Sequence, residues 1–139
     1  MTLHLVKMAV GVKSIDHLAA VQSRRMPVDE KPFHVRTRNM PRRADAILDG
    51  GSIYWVIKGY IRARQRILGL DRKTDAEGRS YCEIHLDREL VKTQLIPRKP
   101  QQGWRYLEEA GAPGDLSSGD MDASLPPEMA AELRELGLL

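Results

Sequence analysis

Residues 52–70 decide the fold, and their sequence is SIYWVIKGYIRARQRILGL. Several apolar side chains of this stretch lie near helical spacing, so the pattern fits either one helix or a pair of strands. Two observations favour strands. The stretch is rich in β-branched and aromatic residues, and Gly59 in a helix interior would cost about 1 kcal/mol. We therefore predict two strands, broken at Gly59.

Shorter segments on both sides extend this pair into a predicted α+β fold. Residues 3–10 are apolar on both alternating faces, which is typical of a central strand that is covered on both sides. Ser14 can cap a helix that runs to about Arg24. Pro41 fits the first turn of a second, shorter helix. Further strands are predicted at residues 79–87, 90–96 and 103–107.

Charge is distributed unevenly along the chain. Residues 34–106 contain 16 Lys and Arg and 8 Asp and Glu, whereas residues 107–139 contain 1 and 8. The corresponding net charges are +8 and −7. A cluster of arginines attracts polyanions, nucleic acid first among them, which favours a nucleic-acid-binding module over an enzyme. The alternative is that these charges only keep the protein soluble.

The length of 139 residues fits a single domain with one core. We predict a basic domain over residues 1–107, a flexible linker over 108–125 and an acidic helix over 126–139. Gly, Ser, Asp and Pro dominate the linker and leave little to bury. The helix could dock on a protein partner, or fold back on the arginines and mask them.

A cytoplasmic location, with no membrane contact, is expected from three features. No apolar run approaches the roughly 20 residues of a membrane span. The N-terminus lacks the basic start, the apolar region and the cleavage site of a signal peptide. Cys82 is the only cysteine, which excludes an internal disulfide and fits a reducing compartment.

No catalytic residue, metal site or cofactor is predicted. Cys82 and His85 could act as nucleophile and base, but side chains alternate along a strand and these two would lie on opposite faces. Cys82 is therefore predicted to be a core residue. None of the four histidines has a second His or Cys at a metal-ligand spacing.

Arginines are the predicted contacts to phosphate groups. On a regular strand, those at 62, 64 and 66 project from the same face as Tyr60, whose ring could stack on a base. Guanidinium groups in such a row repel one another unless an anion or solvent covers them. The alternative is a solvated face that is partly paired with Asp and Glu. The predicted nucleic-acid contacts are Arg36, Arg38, Arg42, Arg43, Arg62, Arg64 and Arg66.

Three stretches carry a resemblance to a known family. They are residues 3–12, residues 41–59 and residues 103–107, and together they cover most of the first 107 residues. They resemble a bacterial family known as the domain of unknown function 1489. This resemblance implies no particular activity.

A second, more distant resemblance rests on the order of short motifs. Leu5-Val6-Lys7 is followed by Ser14-Ile15-Asp16-His17-Leu18, and then by Arg38-Asn39, a short helix with arginine, and Gly50-Gly51 before a hydrophobic strand. The EVE domain of the PUA-like superfamily is similar in the order of these motifs. The resemblance implies a compact mixed β-barrel or sheet with flanking short helices, and a pocket that could hold a base, modified or not, of RNA or DNA.

The pocket implied by this resemblance would lie between the first strand and residues 52–58. Tyr54 and Trp55 are adjacent, so on a strand they point to opposite sides. The EVE family usually has polar residues where Met8-Ala9-Val10 and Val56-Ile57-Lys58 stand in this chain. The alternatives to RNA or DNA binding are a nucleotide-like small molecule, bound or transformed, and a protein-interaction role for the tail. The implied pocket residues are Lys7, Asn39, Tyr54, Trp55, Lys58 and Trp104.

Overall fold

The fold is known from a computed structural model, which describes residues 2–25, 33–99 and 101–116. Seven strands and two helices make up these residues. In chain order they are β1 (Leu3–Met8), α1 (Ile15–Arg25), β2 (Phe33–Thr37), α2 (Ala44–Leu48), β3 (Ser52–Ile57), β4 (Tyr60–Thr74), β5 (Ser80–Leu86), β6 (Val91–Pro97) and β7 (Trp104–Glu108), followed by a 3-10 turn at Glu109–Gly111. Neither of these helices is long and apolar enough to cross a membrane.

The break at Gly59 is a two-residue hairpin turn between β3 and β4. Lys58 has φ 50° and Gly59 has φ 83°. Two successive residues at positive φ are typical of the turn whose twist matches that of the flanking strands. The prediction of two strands, rather than a helix, is confirmed.

The strands form one open, mixed sheet. Their order is β2-β5-β4-β3-β1-β7, and β6 pairs additionally with β4. Of the pairs between described strands, β1 and β3 alone are parallel and the others are antiparallel. The α+β, sheet-rich class is confirmed, and β1 is the central strand that its sequence predicts. Among the described strands, no pairing joins β2 to β7, so the sheet is not a closed barrel.

The larger part of the core lies on one face of this sheet. Buried residues from β1, β3, β4 and β5 join a single cluster, and the two helices add Leu18 and Ile47 to it. Because strands from both halves of the sheet share this cluster, the sheet curls around it. A smaller cluster on the opposite face consists of Val6, Tyr54, Val56, Ile61 and Leu107.

An extra residue in β4 overturns the predicted row of arginines. The register against β3 passes from Val56 opposite Ile61 to Trp55 opposite Ala63, so Arg62 faces no residue of β3. Such a bulge resets the alternation of side chains. Ile61 therefore packs in the smaller cluster and Ala63 in the larger one, while Arg62 is only 1% exposed. The prediction that Tyr60 and three arginines share one exposed face is wrong.

Regular structure continues past the predicted boundary at residue 107. Strand β7 runs to Glu108, and the following segment returns to β6, where Gln94 N donates to Gly114 O at 2.8 Å and Leu116 N to Lys92 O at 2.9 Å. The predicted linker is therefore wrong for residues 108–116. Residues 117–125 and the predicted helix at 126–139 lie outside the described residues.

Gly51 is the most closely packed of the described glycines. Its amide donates to Ile47 O at 2.7 Å and its carbonyl accepts from Ile67 N at 3.0 Å, which joins α2 to the sheet. A Cβ atom at this position would overlap the carbonyl oxygens of Leu3 and Ile47, which belong to the backbone and cannot rotate away.

We expect Gly51→Ala to lower the free energy of unfolding by about 3 kcal/mol or more, at or beyond the upper end of overpacking costs. Gly69→Ala is the matched control, because a Cβ there meets the His85 side chain at an ordinary 3.6 Å. Urea unfolding of both variants measures the difference. Equal stabilities of the two variants would contradict this account of α2 packing.

Candidate nucleic-acid interface

Lys7 lies at the centre of a row of three side chains that crosses the sheet. In the register of β1 it stands opposite Trp55 of β3 and Trp104 of β7. Directly opposite residues on neighbouring strands point to the same face, so the lysine extends between two indole-bearing positions. Burial lowers the pKa of Lys7, because desolvation penalises its charged form.

A cavity of about 490 Å³ opens on one side of Lys7, between β1, α1 and β2. Trp55, which is 4% exposed, lies at its base, and its Nε1 donates to Gln65 Oε1 at 2.8 Å. The amides of Gln65 and Gln22 exchange hydrogen bonds of 2.8 and 2.9 Å. This buried network fixes the indole plane and ties α1 to the sheet.

A second cavity, also of about 490 Å³, opens on the other side of Lys7. It lies between β2 and β7, and Lys7 and Arg36 line both cavities. The Nε1 of Trp104 donates to Asn39 O at 2.9 Å, which holds the chain after β2 against β7. The Trp104 ring also contacts Tyr106 edge to face, with 4.9 Å between ring centroids.

Two smaller cavities, of about 330 and 270 Å³, continue along β2 towards the hairpin between β4 and β5. Both are lined by Arg38 and Tyr81, and Arg38 also lines the cavity beside Trp104. The Arg36 guanidinium lies over the Tyr81 ring, 4.7 Å from its centroid. We call these four cavities together the basic groove.

The lining of the basic groove is strongly cationic. Among the described residues, Asp75 is the one carboxylate that lines it, and this carboxylate already accepts the backbone amides of Glu77 and Arg79 at 2.9 Å. Cations held this close together repel one another unless anions or solvent screen them. The basic side chains of the lining are Lys7, Arg36, Arg38, Arg42, Arg72, Arg79 and Arg105.

The structure brings together one part of the site that the sequence predicts. Both tryptophans and four of the predicted cations lie along the basic groove, together with Asn39. These residues are Lys7, Arg36, Arg38, Asn39, Arg42, Trp55 and Trp104. Arg43 is exposed next to them, and its backbone amide donates to the Tyr106 hydroxyl at 3.2 Å.

The other predicted residues lie elsewhere. Lys58 is exposed in the hairpin turn, and Tyr54 packs on the opposite face of the sheet, in edge contact with the His4 ring at 5.1 Å. Arg62 is buried; its Nε donates to Ile57 O at 2.6 Å and its guanidinium lies 5.4 Å from the Tyr60 ring centroid. Arg66 is exposed but does not line the basic groove.

Arg64 makes an ion pair with a carboxylate. Its Nε and Nη2 donate to the two carboxylate oxygens of Asp115, each at 2.7 Å. This bidentate pair fastens the segment after β7 to the sheet. Hydrogen bonding to the guanidinium lowers the pKa of Asp115.

Sequence reasoning missed Arg72, Arg79 and Arg105, and it missed the aromatic Tyr81. Tyr81 belongs to β5 and Arg36 to β2, so their contact depends on the pairing of these two strands. The strands are remote in sequence, because β2 ends at Thr37 and β5 begins at Ser80. Strand alternation does place Tyr81 opposite the core side of β5, which is the one local signal for it.

The described residues thus define an α+β domain whose open mixed sheet carries a cationic groove with two tryptophans. The chain belongs to the family described as protein of unknown function DUF1489, whose profile matches residues 5–139. The predicted membership of this family is confirmed. No curated protein and no solved structure shows a significant match to the chain.

The ion pair between Arg64 and Asp115 yields a testable pH dependence. Asp115→Asn should cost about 0.5–1 kcal/mol at neutral pH, as expected for a partly exposed pair. Because the pKa of Asp115 is lowered by folding, this stabilisation is present above the ordinary value of 3.8 and is lost as the pH falls through the lowered value. The variant and the wild type should therefore converge in stability in acid.

Urea unfolding at neutral pH and below the ordinary carboxyl pKa measures both stabilities. Glu108→Gln serves as the control, because it removes an exposed carboxylate from the same end of β7. A difference for Asp115→Asn that grows towards acid would overturn the account.

Proposed function

We propose that this protein binds RNA or DNA along the basic groove. The observation that carries the proposal is the lining of the groove, to which the described part of the chain contributes seven Lys and Arg side chains and one carboxylate. Neutralising phosphates with such side chains releases condensed counterions, which supplies most of the affinity of non-specific nucleic-acid binding.

The spacing of the cations suits a polyanion better than a single small anion. The groove extends from Arg105 beside β7, past Arg36 and Arg38 of the β2 region, to Arg72 and Arg79 near the hairpin. Guanidinium groups bind phosphate oxygens in a bidentate manner, so successive arginines can follow successive phosphates.

Aromatic side chains lie where bases would meet this phosphate path. Trp104 and Tyr81 are partly exposed along the groove, and a ring stacked on a base contributes about 1–3 kcal/mol. Stacking tolerates every base, which fits a groove whose charged contacts are directed at the backbone.

We propose further that the cavity over Trp55 holds one unstacked base of the bound strand. Its volume of about 490 Å³ lies within the usual range of ligand pockets, about 300–1,000 Å³. Gln22 and Lys7 line it, and Lys7 has no ion pair with a carboxylate of the described residues. A phosphate at its entrance would supply that counter-charge. The distant resemblance to EVE domains implies a base-holding pocket at this position and so supports the same role for the cavity. The proposal includes a PUA-like fold and a cytoplasmic location.

A nucleotide-like small molecule is the second candidate, since this cavity is large enough for one. Mononucleotides alone should then raise the melting temperature of the protein, and binding should depend little on salt. If an oligonucleotide binds but no mononucleotide raises the melting temperature, the ligand is a nucleic-acid strand rather than a small molecule.

The groove is tested by fluorescence anisotropy with short labelled RNA and DNA strands. Affinity for a single strand should fall with salt at a logarithmic slope of about −0.7 for every phosphate neutralised. The double variant Arg36→Gln, Arg38→Gln should bind more weakly, and its slope should be flatter by roughly 1.4 because two contacts are lost.

The matched control is Lys58→Gln, Arg66→Gln, which removes the same charge from exposed positions outside the groove. This control should keep the wild-type slope. Equal losses in both double variants, or no binding of any strand at low salt, would refute the proposal.

A further inference from the structure

Four ionisable side chains with metal-binding atoms meet on one face of β2, β5 and β4. Glu83 of β5 stands opposite Asp71 of β4, and His85 stands opposite His34 of β2. Residues two apart on one strand share a face, so all four side chains project to the same side. That side is opposite Cys82, which is in the core.

We propose that His34, Asp71, Glu83 and His85 form a binding site for a divalent transition-metal ion of the zinc class. Two imidazoles and two carboxylates are a donor set that suits zinc and its neighbours better than magnesium or calcium, which prefer oxygen alone. Local spacing in the sequence gives no sign of this site, because the ligands come from three strands.

Asp71, Glu83 and His85 bring their ligand atoms together at separations near those of a tetrahedral site, and His34 joins them through the second oxygen of Glu83. Bonds of about 2.1 Å to zinc place tetrahedral ligands about 3.4 Å from one another. His85 Nε2 lies 2.8 Å from Asp71 Oδ2 and 3.7 Å from Glu83 Oε1. His34 Nε2 lies 3.7 Å from Glu83 Oε2. The ligand atoms of Asp71, Glu83 and His85 all lie within 4.8 Å of one another.

Glu83 is positioned to serve as the central ligand. Its two oxygens face the two different histidines, and its side chain is only 12% exposed. Arg36 stands opposite Glu83 in β2, but its guanidinium lies over the Tyr81 ring instead. Arg36 therefore does not compete with the two imidazoles for the Glu83 carboxylate.

The site is open enough for an ion to enter. The His34 and His85 side chains are 24% and 26% exposed, and Asp71 is 57% exposed. Gly69 stands opposite His85 in β4, so no side chain from that position covers the ring. The two imidazole rings are already close, with 5.7 Å between their centroids.

A metal ion here would clamp β2 to the rest of the sheet. Strand β2 forms one end of the sheet and pairs with β5 alone among the described strands. His34 would attach it through the ion to β5 and β4. The clamp would hold Arg36, two residues further along β2, in its place in the basic groove.

The test uses tag-free full-length protein, stripped with a chelator and titrated with zinc by calorimetry. We expect one equivalent to bind and the melting temperature to rise. Cobalt in place of zinc should give the visible absorption of a tetrahedral site with nitrogen and oxygen ligands. His85→Gln and Glu83→Gln should each weaken zinc binding by about 100-fold or more, at least the loss seen on removal of outer-shell partners.

His17→Gln is the matched control, because it removes a histidine of α1 that is not one of the four ligands. It should bind zinc as the wild type does. Cys82 does not compete, because its side chain is fully buried in the core on the opposite face of β5.

Unchanged binding in His85→Gln, absence of a one-equivalent zinc site, or equal weakening in the control would overturn the proposal. Substitutions in β5, which lies inside the sheet, could weaken zinc binding by unfolding the protein. His34→Gln is less exposed to this objection, because β2 lies at the end of the sheet. If it keeps the wild-type apo stability, it should still lose the tetrahedral cobalt spectrum, and a retained spectrum would remove His34 from the ligand set.

Discussion

Pairing along β4 is the constraint on which both the core and the basic groove depend. Its 15 residues pair with β3 and β6 over the first half and with β5 over the second. Through this one strand, the part of the sheet that carries β1 and the part that carries β2 reach the same core cluster. Lys7 and Arg36, from opposite parts, consequently line the same two cavities.

Local patterns in the sequence predict the elements well, because each has a local cause. The turn at Gly59 requires positive φ, and the strand period places Cys82 in the core, where it is fully buried. The faces of β4 are not predictable in this way, because the bulge at Arg62 depends on pairing with β3. For the same reason the sequence predicts a linker at Asp115, because its partner Arg64 is remote in sequence.

Composition alone does not show which arginines are buried, which are ion-paired and which are accessible to a ligand. Arg62 is buried beneath the hairpin, Arg64 is paired with a carboxylate, and Arg36 lies over an aromatic ring beside a cavity. These three environments differ in whether a phosphate could reach the guanidinium. Half of the candidate site was therefore predictable from the clustering of basic residues, and the other half depended on the cross-strand register.

The most direct test of the central claim is an amide NMR titration with a short single-stranded oligonucleotide. The account predicts the largest shifts at Lys7, along residues 36–39 and 103–105, and at the indole N–H of Trp104. Residues around Lys58 and Arg66 should stay unperturbed. The largest shifts around those two residues, or none anywhere at low salt, would contradict a nucleic-acid interface in the basic groove.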